Sequence, residues 1–369
     1  SHTGLSSQHA YLLRQLVVWQ RLSVHLGWSC DNVRAAYDEV SEKIQSEVYE
    51  NAKAFAKENK DRYDCGGYIY VGEGQDLGQF WAKLAVGDGK IQKSSSNTAI
   101  TKSNDCYSLS GATYGVYSDK GCTKSVATLT TNANGNTDTV ELRASTYYVK
   151  ETKAPKGFQL DKNVYTMTVK VNETTTLKVS DIPKVTDTLV ELFKIDMEIS
   201  KATPQGNASL EGAEFVWKYY DGYYTKDNLP SEPTRTWTTK TIAEKDSKNE
   251  VHYITRLADS YKVSGDSFYT QNGTICLPLG TITVEEKTAP NGYLLEGAYM
   301  QAAGSSEQIK GVYVAQITED GELAALSGSN QYSVLDKVIR GGVKIQKRDL
   351  ETKDTKAQGG ATLKDTAFE

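Results

Sequence analysis

Val149-Lys150-Glu151-Thr152-Lys153-Ala154-Pro155-Lys156-Gly157-Phe158 recurs as Val284-Glu285-Glu286-Lys287-Thr288-Ala289-Pro290-Asn291-Gly292-Tyr293. Each copy is a strand-like run stopped by an Ala-Pro-x-Gly turn. Upstream of each copy lies a second matching pair, Leu109-Ser110-Gly111-Ala112-Thr113-Tyr114 and Leu210-Glu211-Gly212-Ala213-Glu214-Phe215. Downstream, Val179-Ser180-Asp181 is answered by Val334-Leu335-Asp336. A lysine-bearing run heads each series: Lys90-Ile91-Gln92-Lys93, its close copy Lys344-Ile345-Gln346-Lys347, and the looser Leu192-Phe193-Lys194-Ile195. Landmarks repeating in the same order mark tandem copies of one structural unit.

Between the landmarks the chain reads as short alternating strands separated by Gly, Asn and Pro, with no helical period long enough to cross between parallel strands. The expected fold is mainly β: tandem antiparallel β-sandwich domains, Ig-like or prealbumin-like, behind a helical α+β segment. The expected boundaries are a partial head domain at 1–88, sandwiches at 89–184 and 188–340, and the start of a further sandwich at 341–369. In the head, Leu12, Leu16 and Trp19 share one helical stripe, and Val33, Tyr37, Val40, Ile44, Val48, Ala52 and Phe55 step by threes and fours. Strands are expected at Tyr68–Val71 and Phe80–Leu84, and Gly87-Asp88-Gly89 reads as a closing turn. Lys93 to Glu151 spans 58 positions and Lys194 to Glu286 spans 92, so the second repeat carries about 34 extra residues, among them Trp237, after Tyr219-Tyr220-Asp221-Gly222-Tyr223-Tyr224. Aromatics packed inside strands are the expectation there, with a ligand-contacting surface as the rival.

These landmarks resemble the Cna-B-type (prealbumin-like) domains of Gram-positive surface proteins, pilins and adhesins, over roughly 89–369. The resemblance implies an autocatalytic isopeptide bond inside each sandwich. A lysine of the first strand would condense with an Asp or Asn of the last, and the glutamate before Ala-Pro would assist proton transfer. It maps Lys93, Asp181 and Glu151 onto the first domain and Lys194, Asp336 and Glu286 onto the second. Lys347 would be the amine of the third, with its partner outside 1–369. Glu285 stands beside Glu286, and alignment with Glu151 selects Glu286. The chemistry is reasonable on physical grounds, because burial drives a lysine toward its neutral amine and a carboxyl toward its neutral acid. Arg14-Gln15-Leu16-Val17-Val18-Trp19 resembles the glutamine segment of bacterial thioester domains, which makes Gln15 a candidate acyl donor. No cysteine precedes it in the sequence.

The chain has 369 residues, is 38% hydrophobic and 24% charged, and so has enough apolar residues for two to four ordinary domains. Its 23 tyrosines against three methionines favour pleated over helical structure. A formal net charge of −5 argues against a nucleic-acid partner. No apolar run reaches membrane-spanning length. The first residue is Ser1 and the last ones, Phe368-Glu369, read as strand, so the expectation is a piece of a longer extracellular or wall-attached protein. Host protein or glycan, polymerisation and wall attachment are the partners this implies. Cys30, Cys65, Cys106, Cys122 and Cys276 lack zinc-ligand spacing, and Cys106 with Cys122 reads either as a disulfide or as two buried thiols. His2, His9, His25 and His252 are not spaced as metal ligands, and Gly72–Gly78 has the wrong spacing for a nucleotide loop. Neither a cofactor nor a turnover enzyme is expected. The expected function is a structural stalk or adhesin, and the rivals are a ligand-binding module in the second repeat or the accessory stalk of a surface enzyme.

Overall fold

A helix, α1 (Glu42–Asn59), precedes a hairpin of β1 (Tyr63–Tyr70) and β2 (Leu77–Leu84) in the computed structural model, which describes residues 42–59, 62–70, 77–320, 331–365 and 367. Phe55, expected on an apolar stripe, is exposed. Gly87-Asp88-Gly89 is not a turn. It begins β3 (Val86–Ser95) and pairs with Leu142, Glu141 and Val140 of β6 (Val140–Arg143). The glycines are needed for close approach, since a Cβ on Gly87 would lie 1.9 Å from the carbonyl oxygen of Lys170 and one on Gly89 2.8 Å from Met167 Cε.

The chain divides into two units. The first draws on described residues up to Ser94, on Leu109–Pro155 and on Leu160–Ser180; the second on Ser95–Ser108, Lys156–Gln159 and from Asp181 onward. In the first, one sheet has the order β6-β3-β9, where β9 is Thr174–Asp181. The other sheet runs β5-β4-β7-β8, formed by β4 (Thr113–Tyr117), β5 (Ser125–Thr130), β7 (Ser145–Lys153) and β8 (Val164–Val169). Ile91, Tyr114, Val116, Val149, Met167 and Val179 share its core.

The second unit has two five-stranded sheets. One orders β14 (Ile242–Lys245), β15 (Val251–Thr255), β11 (Glu191–Asp196), β22 (Gln331–Val338) and β20 (Tyr293–Ala302). The other orders β16 (Lys262–Gly265), β13 (Arg235–Lys240), β12 (Glu214–Tyr220), β19 (Gly280–Thr288) and β21 (Tyr313–Ile317). A three-stranded sheet of β10 (Val185–Thr186), β18 (Thr274–Pro278) and β17 (Tyr269–Gln271) adjoins. The pairing of β11 with β22 departs from the antiparallel expectation: the two run parallel, with Lys194 opposite Val334 and Asp196 opposite Asp336. Parallel neighbours need a long connection, and nearly the whole second repeat supplies it.

The same lock closes the Leu-x-Gly-Ala segment in both repeats. Gly111 and Gly212 adopt φ of +86° and +89°, a conformation that suits glycine. The next residue's N–H donates to a threonine hydroxyl, Ala112 to Thr131 and Ala213 to Thr241, each at 3.0 Å. That hydroxyl donates back to the carbonyl of Leu109 or Leu210. Between β12 and β19 the longer second repeat holds β13 to β18, where the first has β5 and β6 between β4 and β7, and its aromatics feed the core. Trp237, Tyr219 and Tyr220 are buried, and Trp237 stacks on Phe268 with ring centroids 5.8 Å apart. Trp237→Ala should therefore cost the second unit about 3–5 kcal/mol in urea unfolding, as expected for a large aromatic removed from a packed interior. A change below about 1 kcal/mol would mean that the insertion packs elsewhere.

Candidate functional site

Strand period carries the lysines inward. In β3, Gly87, Gly89, Ile91 and Lys93 alternate with more exposed neighbours, so the face that buries Ile91 also buries Lys93. In β11 the buried set is Leu192, Lys194 and Asp196. The glutamates obey the same rule: Val149 and Glu151 face inward in β7, and Val284 and Glu286 in β19. Glu285 points the other way and pairs with Lys287 at 2.6 Å. Among the acids, Asp181 is buried at the end of β9 and Asp336 is buried in β22.

In the second unit Lys194, Glu286 and Asp336 converge. Lys194 Nζ donates to Glu286 Oε1 at 2.6 Å and Oε2 at 2.7 Å, and it lies 2.5 Å from Asp336 Oδ1. Neither Asp336 oxygen receives an aligned hydrogen bond despite that proximity. The side chains of Lys194 and Asp336 are wholly screened from solvent. Two carboxylates and one ammonium would bury a net negative charge, so one carboxyl must hold a proton. Burial pushes Glu286 well above the usual carboxylate range; Lys194 pulls it down, and Asp336 raises it again. A proton on Glu286 would make it a donor close to Asp336, whose oxygens receive no aligned hydrogen bond.

The first unit places Lys93 Nζ 2.7 Å from Glu151 Oε1, with both side chains fully buried. Nζ also donates to Tyr114 OH at 2.9 Å. Glu151 Oε2 is occupied by the backbone N–H of Asp161 at 2.7 Å. Desolvation lowers the Lys93 pKa, opposed by Glu151 and then Asp161. Asp181 ends β9, whose strand neighbour is β3.

Tyr114 and Asp161 were not singled out as site residues from sequence. Tyr114 had a signal: it occupies the aromatic position of the repeated Leu-x-Gly-Ala segment, where the second copy has Phe215. Asp161 acts on Glu151 through its main-chain N–H, which leaves no mark on residue pattern. Asp196 is a further buried acid. It accepts from Tyr293 OH of β20 at 2.8 Å and, in the turn after β11, from Gln205 and the N–H groups of Glu198 and Ile199, so its hydrogen bonds are satisfied away from Lys194.

Lys347 is exposed and, among the described residues, belongs to no strand, in contrast to the strand expected there. A strand needs neighbours for its hydrogen bonds and for its apolar face, and Ile345 and Val343 are exposed too. Gln15 and Cys30 lie outside the described residues. Of the alternatives left open for Cys106 and Cys122, the structure has free thiols, Cys106 buried and Cys122 partly exposed; Cys65 and Cys276 are also free. Burial raises the Cys106 pKa and that of Cys276, to about 11, which keeps both thiols protonated near neutrality. Asp246, Glu250 and His252 bring potential ligand atoms within 4.8 Å of one another on the surface. Asp246 Oδ1 is already used by the N–H groups of Lys248 and Glu250, which shapes the turn between β14 and β15. Among the described residues, no helix is long and apolar enough to cross a membrane.

Among solved structures, the TIE protein of Bacillus anthracis is 21% identical over 75% of this chain and 41% of its own length, with a TM-score of 0.39. The chain thus spans less than half of that protein. A C-terminal fragment of the pilus adhesin SpaC from Lactobacillus rhamnosus GG is 15% identical over 70% of this chain and 100% of the fragment, with a TM-score of 0.36. BcpA, the major pilin subunit of Bacillus cereus, is 12% identical over 69% and 100%, with a TM-score of 0.24. No curated protein sequence matches the chain. Residues 96–183 match the family model for SpaA, prealbumin-like fold domain. The β4, β7, β8 and β9 strands all lie within that span, and so do Glu151 and Asp181. This segment of the chain is thus similar to the SpaA prealbumin-like fold domain.

Proposed function

We propose that the chain is part of a Gram-positive surface protein of pilin or adhesin type, acting as a stalk whose two sandwiches are each closed by a Lys–Asp isopeptide bond. Lys194 and Asp336 form one bond with Glu286 as proton relay, and Lys93 and Asp181 form the other with Glu151. The observation that carries this reading is the burial of Lys194, Glu286 and Asp336 within 2.5–2.7 Å of the amine. Stability alone is a poor reason to bury such a cluster, because well-packed apolar residues do as well or better. Condensation gives the cluster a purpose.

The reaction balances without any added reagent. The protonated glutamate gives its proton to the aspartate and takes one from the lysine ammonium, leaving a neutral amine. Nζ attacks the aspartate carboxyl carbon, the new C–N bond forms, and a C–O bond breaks. The departing oxygen leaves as water with two protons delivered through the glutamate, which two from the ammonium replace. A carboxyl that shares a proton is the better acceptor, and the raised pKa of Glu286 lets it supply that proton. Fixing amine and acid side by side replaces a bimolecular encounter, for which effective molarities reach about 10⁵–10⁸ M.

In the second repeat the bond would join β11 to β22, the first and last strands of its lysine sheet, which already run side by side. Pulling on the unit could then not peel one strand from the other without breaking a covalent bond, so resistance to force and protease becomes kinetic. The same reading puts the protein at the cell surface, where host protein, glycan or further subunits are its partners.

Intact mass should fall short of the sequence mass by two waters in the folded chain. Lys93→Ala and Lys194→Ala should each restore one, independently, since the lysines belong to different cores. A well-folded sample at full sequence mass would refute the cross-links. Glu286→Ala and Glu151→Ala should each leave one site unlinked and trypsin-sensitive, whereas Glu285→Ala should close normally; closure in Glu286→Ala would remove the relay role.

A further inference from the structure

We infer that Tyr114 is a positioning residue of the first site, its hydroxyl standing in for the second carboxylate oxygen that holds the lysine in the second site. The inference rests on the cross-linking reading above. Glu286 accepts from Lys194 Nζ with both oxygens, at 2.6 and 2.7 Å. Glu151 meets Lys93 through Oε1 at 2.7 Å, because its Oε2 is taken by the N–H of Asp161 at 2.7 Å. Tyr114 OH then accepts from Lys93 Nζ at 2.9 Å. The hydroxyl occurs in the site where the glutamate has one oxygen fewer to give.

The ring itself does not account for this. Lys93 Nζ lies 5.4 Å from the centroid of Tyr114, and Lys194 Nζ lies 5.9 Å from that of Phe215, which holds the matching place in the second repeat. Both rings are fully buried. What differs is one oxygen. An ammonium has three N–H directions, and two fixed acceptors set the third. In the second site the remaining neighbour of the amine is Asp336 Oδ1, 2.5 Å from Nζ. In the first, Tyr114 and Glu151 together fix the amine, and the proposed acceptor is Asp181. Burial, with the Glu151 carboxylate nearby, holds the Tyr114 phenol far above its ordinary ionisation range, so it stays neutral. Phenol and glutamate thus hold the lysine from two sides and fix the direction from which Nζ approaches.

The test uses the whole chain, recovered unfolded and refolded, with closure at each site followed by peptide mapping of the linked peptides. The second site in the same molecules serves as an internal clock. Tyr114→Phe retains the ring and copies the residue already tolerated at Phe215. It should fold normally by circular dichroism, close the first site at least ~10-fold more slowly and leave the second unchanged, because small misplacements of reacting groups are expensive. The pH profile separates positioning from mere packing. A hydroxyl that accepts from the ammonium favours its charged form, so its loss should move the midpoint of the rate profile at the first site to lower pH. Glu151, Asp161 and Tyr165, the other titratable groups around Tyr114 and the amine, and the proposed acceptor Asp181 are the same in both proteins. An unchanged first-site rate beside a normal second site would overturn the role of Tyr114 and leave the cross-linking reading standing. A slower rate with an unmoved midpoint, or an equal slowing at both sites, would also overturn it. A wild-type chain that closes the second site but never the first would overturn the cross-linking reading for that unit together with this inference.

Discussion

A lysine on the inward face of a sheet's first strand is the constraint from which the rest of this structure follows. Its ammonium cannot be buried alone, since the desolvation cost runs to several kcal/mol even after relaxation. The fold must bring acids to it, and both units do so from the other sheet: Glu151 from β7 and Glu286 from β19. In the second unit β22 adds Asp336 beside β11. The carboxyls exceed the ammonium there, and burial resolves the imbalance by holding a proton on Glu286. The charge pattern that would make an ordinary core unstable is the pattern that condensation needs.

The rest of each unit maintains that arrangement. The Leu-x-Gly-Ala lock starts β4 and β12 from a threonine hydroxyl and sets the register that puts Tyr114 and Phe215 beside the amines. Glycines in β3 let its first half approach Lys170 and Met167 closely. In the second unit, Asp196 sits two residues beyond Lys194 on the same face, yet Tyr293, Gln205 and backbone donors satisfy it. Two buried acids on one sheet are thus given different tasks by their donors. The extra strands of the second repeat enlarge both of its sheets at their edges and bury Trp237 and Tyr219 without disturbing the site.

Much was legible in the sequence because it depended on period and order. Two-residue alternation placed Lys93 beside Ile91 and Lys194 beside Leu192, and the repeated landmarks separated Glu286 from Glu285, which alternation sends to the opposite face. The mainly β class followed from the same alternation and from the turn residues. Composition also anticipated the packing of the aromatic insertion, since large rings at strand spacing are more often core than surface. Where local signals misled, a long-range contact had overruled them. Gly87-Asp88-Gly89 has the residues of a turn, but β6 supplies a partner strand. Lys344–Lys347 has the residues of a strand, but no partner for it exists among the described residues.

The sequence by itself determined which side chains face inward, because a strand's alternation is a local property of the backbone. It also determined that the repeats share one plan, because the landmarks recur in order. Only the tertiary structure decided what each inward group meets. Hydrogen-bond partners came from distant strands and loops, Lys194 and Glu286 lying 92 positions apart, and some, such as the N–H of Asp161, belong to the main chain and carry no residue signature. The parallel placement of β11 against β22, the proton held on Glu286 and the phenol that completes the hold on Lys93 all arise from distances of a few ångströms. Those distances exist only once distant segments are packed together and water is gone.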